Sequence, residues 1–267
     1  MIMNELIADC RYALRNFAKK PALTLLIVIT LGLGIGANTA IFSMVYNVLL
    51  APLPFSDSEQ LVMLQQHQPL AERRNVAFSA PTLKDFRQQS ETLSDVFEYH
   101  TMQFTLLGEG DATRVQTGVV NWDHFDILGI KPIHGRSFLQ GEDERGSEAL
   151  IILSNHFWHS KFGADPDVVG RTLQMNNAVH TVIGVLPEMP AFPDDNDIYV
   201  TVSSCPFRIS DDMNDNTRAM AMMQVFGKMK PEVTMAETIP KWKPLHNDCR
   251  LSFLTVILQT GVIRLNQ

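Results

Sequence analysis

The residues that could do chemistry are few and badly spaced for it. Eight histidines are scattered over 267 residues, and His156 and His159 form the close pair. A helical zinc hydrolase needs two histidines four positions apart with a glutamate base between them, so that ligands and base share one face. Here the spacing is three and no glutamate intervenes, which predicts ordinary surface histidines on a helix. Asp194-Asp195-Asn196-Asp197 is the densest acidic run. Calcium would need more widely spaced oxygens and a bidentate glutamate further on. A turn anchored by Pro193 accounts for the run instead. Ser154 lies near His156, but no G-x-S-x-G elbow is present to expose it as a nucleophile. Neither a Walker A motif nor a G-x-G-x-x-G loop occurs, so no phosphate cradle is expected. Cys10, Cys205 and Cys249 make neither a C-x-x-C pair nor a stapling framework. The expectation is a chain with no catalytic residues, no cofactor and no metal.

Composition narrows the class further. Hydrophobic residues make up 45% and charged residues 19%, which excludes collagen-like and wholly disordered chains. A net charge of -7 argues against nucleic acid as a partner. That charge is unevenly spread. Arg11, Arg15, Lys19 and Lys20 precede an uncharged stretch of 36 residues, Pro21 to Ser56, and the acidic excess follows it.

Such a stretch must meet a membrane. Ala22 to Leu50 would extend roughly 43 Å as a helix, whereas a hydrocarbon core of about 30 Å needs about 20 residues. Pro21 suits a first helical turn, and Pro52 and Pro54 mark a helix already ended. A cleaved signal peptide is the rival reading, with Ala37-Asn38-Thr39-Ala40 as its cut. Its apolar region would be 7–15 residues long, yet apolar sequence runs on through Leu50, which favours an anchor. Basic residues before the span predict a cytoplasmic N-terminus and a periplasmic or surface-exposed remainder.

Two patterns in this region suggest contacts. Leu6, Ile7, Cys10, Ala13, Leu14 and Phe17 fall on one helical face, and Arg11, Arg15 and Lys19 on the other. This predicts an amphipathic cytoplasmic helix over 1–20 that touches lipid or a partner. Inside the span, Gly32, Gly36 and Ala40 recur every four residues, a spacing that lets another helix approach closely. A simple interfacial anchor and a lone span tolerant of glycine explain the same two patterns.

Beyond the span, short apolar runs alternate with turn signals. Strands are expected at Leu61–Leu64, Val115–Val120, Leu150–Leu153, Thr181–Leu186, Ile198–Val202 and Met222–Met229. Helices are expected at Ala80–Gln89, Trp122–Leu128 and Asn155–Phe162, the first opened by Ser79 and Pro81. The predicted class is an α+β domain following one transmembrane helix and its amphipathic lead-in.

The segment LGLGIGANTAIFSMVYNVLLAPLP, Leu31 to Pro54, resembles the first membrane helix of MacB-type ABC-transporter permeases of the FtsX-like superfamily. VNWDHFDILGIKPIHGRSF at Val120–Phe138 is similar to a periplasmic segment of that family. So are LSNHFWHSKFGADPDVVGRTL at Leu153–Leu173 and VIGVLPEMPAFPDDNDIYV at Val182–Val200. The resemblance implies a mechanical subunit, driven by a cytoplasmic ABC ATPase in trans and paired as a permease homodimer in complete members. It implies an inner-membrane location and a role in efflux or mechanotransmission. It places Arg11, Arg15 and Lys19 on the lead-in helix and Gly32, Gly36 and Ala40 on the packing face. Trp122, Phe125, Gly129, Gly135, Arg136, Phe162, Gly163 and Gly170 would shape the periplasmic core. The domain would cover 52–236, after a span at 21–51.

Phe226–Glu237 still resembles the family, but Thr238–Gln267 does not. The apolar run there, Leu251–Ile263, is 13 residues, too short for a bilayer. Complete members carry three further helices, so the expectation is a C-terminally truncated permease with an anomalous tail at 237–267. The alternative is a single-pass anchored periplasmic binding or adaptor module.

Overall fold

The computed structural model describes residues 12, 15, 17–46, 55–68, 73–108, 110–176, 178–209, 221–233 and 250–254. The chain divides into two units, Met1–Ala51 and Pro52–Gln267.

In the first unit, positions 12, 15 and 17–19 are helical, and Lys20 interrupts the helix before α1, Pro21–Val45. Arg11 lies outside the described residues, as do Leu6, Ile7, Cys10, Ala13, Leu14 and 47–50. The 25 residues of α1 have mean hydropathy 2.1 in their most apolar window, and none is buried. At about 1.5 Å per residue they extend about 37 Å, enough to cross a hydrocarbon core. The threonines in this helix satisfy their own hydroxyls. Thr30 Oγ1 donates to Leu26 O at 2.9 Å and Thr39 Oγ1 to Ile35 O at 2.8 Å. No hydroxyl of these two needs water, as an apolar surrounding demands.

In the second unit, the strands are β1 Leu61–Gln68, β2 Arg73–Val76, β3 Leu93–Leu107, β4 Thr113–Val120, β5 His134–Gly135 and β6 Leu150–Leu153. They continue as β7 Thr172–Met175, β8 Ala178–Val185, β9 Ile198–Thr201, β10 Gln224–Met229 and β11 Arg250–Leu254. The helices are α2 Ala80–Gln89, α3 His124–Leu128, α4 Asn155–Phe162 and α5 Pro206–Ile209. The domain is α+β. Its strand order is β11-β1-β10-β3-β4-β9-β6-β8-β5, with β2 on β1 and β7 joining β8 back to β3. The pairings β3–β4, β4–β9, β9–β6, β6–β8, β8–β7 and β7–β3 therefore close into a ring of six strands. β3 belongs both to this ring and to an open wing made with β10, β1 and β11.

Period-2 alternation divides the ring strands between two cores. Phe104, Leu106, Val115, Val119, Ile151, Leu153, Ile198 and Val200 enter one core with Phe157 and Trp158 of α4. Phe97, Tyr99, Val120, Leu150, Ile152 and Tyr199 enter the other with Phe125, Ile127 and Leu128 of α3. Both faces of these strands are covered, so LIIL at 150–153 is uninterrupted apolar sequence and wholly buried. A third core packs Leu83 and Phe86 of α2 against Val62, Leu64 and Val225 of the wing.

β6, α2 and α4 have the expected limits. Trp122–Leu128 is corrected: the helix begins at His124, and Trp122 and Asp123 form the preceding turn. The strand expected from Met222 begins at Gln224, β1 runs on to Gln68, and β8 starts earlier, at Ala178. β3, the longest strand at 15 residues, has no counterpart among the expected strands. β11, inside the segment expected as a tail, pairs antiparallel with β1.

Candidate functional site

Trp122 is half-buried and packs against the core around α3, while Phe125 is fully buried there. Gly129 ends α3 and lies against the chain entering the domain. A Cβ on it would fall 2.0 Å from Ser56 Oγ, and Ser56 N donates to Leu128 O at 3.1 Å. Gly135 sits in β5 with φ 73°, where a Cβ would fall 2.0 Å from Ile183 O. Arg136, next to it, is exposed and makes a bidentate pair with Glu142 at 2.9 and 2.7 Å. Its backbone N donates to Ile183 O at 2.9 Å. Phe162 ends α4, half-buried against the second core; Gly163 caps that helix. Gly170 N donates to Val182 O at 2.8 Å. These residues are spread over several elements and do not converge on a common cleft.

His156 and His159 are both exposed. Among the described residues, no group of three or more His, Cys, Asp and Glu could hold a metal. The acidic run after Pro193 is a clip between strands. Asp197 Oδ2 accepts from Gln116 N at 2.8 Å, and Asp197 N donates to Gln116 O at 2.9 Å. Asn196 Nδ2 donates to Tyr99 Oη at 2.9 Å, and Tyr99 Oη donates to Asp194 Oδ2 at 3.1 Å. The loop thus ties β9 to β3 and β4.

The polar groups buried around β3 were not foreseen. Arg208 of α5 reaches Glu98 with its two terminal nitrogens at 3.2 and 3.3 Å. The Glu98 side chain is only 3% exposed. Next to this pair, His100 Nε2 lies 3.3 Å from Cys205 Sγ. A Cys–His pair suggests an activated thiolate, but the surroundings oppose it. Burial raises the thiol's pKa and lowers that of His100 to about 4. Both partners are neutral at pH 7, so the pair is packing and not a nucleophile.

His124 is 1% exposed and stands between the rings of Phe97 and Phe125, at centroid distances of 5.1 and 5.2 Å. Burial lowers its pKa to about 3. In the unfolded chain both histidines protonate near pH 6.5, so below that pH the unfolded state binds more protons. Stability present above 6.5 is lost as pH falls toward 4. From pH 7 to 5 the expected loss is about 2 kcal/mol for each of His100 and His124. Asp123, raised by burial to about 6, works in the opposite direction. Urea titrations of the detergent-solubilised chain, followed by tryptophan fluorescence, should show the net loss. His124→Phe should remove about 2 kcal/mol of it; an unchanged slope would refute the assignment.

A polar cavity of about 390 Å³ lies between α2 and the turn before α3, lined by Arg87, Asp95, Trp122, Asp123 and Asp143 among others. Arg87 spends its guanidinium on Val96 O, at 2.9 and 3.1 Å.

Fold and surface together define an α+β domain joined to one membrane-length apolar helix, built to hold shape and make contacts. Residues 24–245 match the MacB-like periplasmic core domain, and the chain belongs to that family. Its fold is similar to the crystal structure of a domain of a putative permease protein from Porphyromonas gingivalis. That likeness has a TM-score of 0.54 at 13% identity and covers 74% of this chain and 91% of that one. It is also similar to the periplasmic region of MacB from Actinobacillus actinomycetemcomitans. There the TM-score is 0.52 at 14% identity, covering 72% and 86%. No curated protein matches the sequence.

Proposed function

We propose that the chain is a permease subunit of an ABC-type efflux or mechanotransmission complex in the bacterial inner membrane. In this reading, 1–20 is a cytoplasmic lead-in, 21–51 spans the membrane, and 52–236 is the periplasmic domain, followed by the segment 237–267. A cytoplasmic ABC ATPase on another chain supplies the energy, and two permeases pair through membrane helices. Gly32, Gly36 and Ala40 lie on an uncovered face of α1, where a Cβ at either glycine meets nothing within 4 Å. They are the proposed packing face. Trp122, Phe125, Gly129, Gly135, Arg136, Phe162, Gly163 and Gly170 hold the turns and core through which movement of the membrane helix reaches the domain surface.

One observation carries this reading. The family match begins inside α1, at residue 24, and runs through the domain, so helix and domain form one matched stretch. Topology tests it. Reporters fused after Gln60 should behave as periplasmic, and a cytoplasmic signal there would sink the proposal. Replacing Arg11, Arg15, Lys19 and Lys20 together by Glu should weaken or invert the orientation, because flanking cations set it.

A further inference from the structure

The junction between the lead-in and α1 presents cations on one side and an aromatic ring on the other. At about 100° per residue, Tyr12, Arg15 and Lys19 fall within about 60° of one another, and Phe17 lies on the opposite side. Arg15, Lys19 and Lys20 are exposed, Tyr12 is 71% exposed and Phe17 50%. Lys20 directly precedes the first residue of α1, and no acidic residue occurs between Asp9 and Asp57.

We propose that this face binds the phosphate headgroups of anionic phospholipids and that α1 takes its depth from that contact. The ligand follows from charge and place. Three cations without a neighbouring carboxylate favour a net anionic headgroup over a zwitterionic one. Arg15 is six residues from Pro21, about 9 Å along a helix, so the cations lie at the height of the headgroup layer. Phe17, on the far side, enters the acyl boundary, as interfacial aromatics do.

The junction is also tied. Thr24 Oγ1 donates to Phe17 O at 2.9 Å and to Lys20 O at 3.0 Å. Lys20 N donates to Phe17 O at 3.3 Å, and Thr24 N to Lys20 O at 3.1 Å. Any hold on the lead-in therefore passes directly to the first turn of α1.

This inference rests on α1 being the membrane span, but not on its direction. The test reconstitutes the full chain in phosphatidylcholine bilayers carrying spin-labelled phosphatidylglycerol or spin-labelled phosphatidylcholine. Phosphatidylglycerol should be preferred at low salt by at least about fivefold, the factor that one basic residue at an anionic surface supplies. The preference should shrink at high salt, since the contact is exposed. The triple variant R15Q/K19Q/K20Q should bring the ratio near one, while Arg15→Lys and the distant Lys84→Gln leave it unchanged. Equal ratios in the wild type and the triple variant would overturn the inference, as would a loss caused equally by Lys84→Gln. An acidic soluble protein that binds this face while no lipid preference is seen would overturn it too. Retained preference in a chain whose reporters place the N-terminus outside would defeat the proposed topology and leave the lipid site standing.

Discussion

Gly135→Val will destabilise the domain by about 4 kcal/mol or more, a size reached by few single substitutions. Two costs add at this position. The backbone has φ 73°, a region that side chains other than glycine occupy with strain, worst for a β-branched one. The new Cβ would also fall 2.0 Å from Ile183 O and 2.9 Å from Gly184 Cα. Those are backbone atoms of the neighbouring strand, which cannot rotate away as a side chain would. Relief requires β5 to part from β8, giving up the bonds from Arg136 N to Ile183 O and from Ile133 N to Val185 O. Gly170→Ala is the comparison. Gly170 has φ 92°, but nothing lies within 4 Å of its Cβ position, so only the conformational cost of about 1–2 kcal/mol is expected. Urea midpoints of the two variants measure the difference. Equal losses would mean that β5 moves aside freely.

Arg208→Met should cost about 3 kcal/mol, because it removes a cation facing a carboxylate almost without access to water. Glu98 also anchors its own strand: its backbone N donates to Asn121 Oδ1 at 2.6 Å. Removing both charges should cost less than removing one, so Glu98→Gln placed on Arg208→Met should regain stability at pH 7. That sign is the informative part. A double variant weaker than Arg208→Met alone would show that the pair contributes more by attraction than it loses by burial.

The sequence made the elements with simple physics legible and hid those whose stability comes from distant partners. The membrane-length helix needs only its own apolar side chains, and β6 and α4 announce themselves by apolar runs and an N-cap, Ser154. β3 is different. Its sequence, LSDVFEYHTMQFTLL, places Glu98 and His100 at buried positions. Their partners, Arg208 and Cys205, lie more than a hundred residues away. No local pattern reveals such pairing. The same holds for Asn196 and Asp197: the turn was visible, but not its hold on Tyr99 and Gln116. The resemblance of Leu31–Pro54 and the later segments led to the right family. The roles given to its glycines and aromatics rest on that resemblance, and the variants above address one of them.

The six-stranded closure has a mechanical consequence. An open sheet under tension can peel from a free margin, breaking one hydrogen bond after another. A hoop has no margin at which peeling starts. Load applied to any of its strands must be shared through the neighbours, and β3 passes it on to the wing over a length of about 50 Å. Such a part turns or tilts as a whole instead of stretching. A stroke arriving from below would therefore be delivered at the far end with little lost to deformation, and compliance would be concentrated where the hoop is attached.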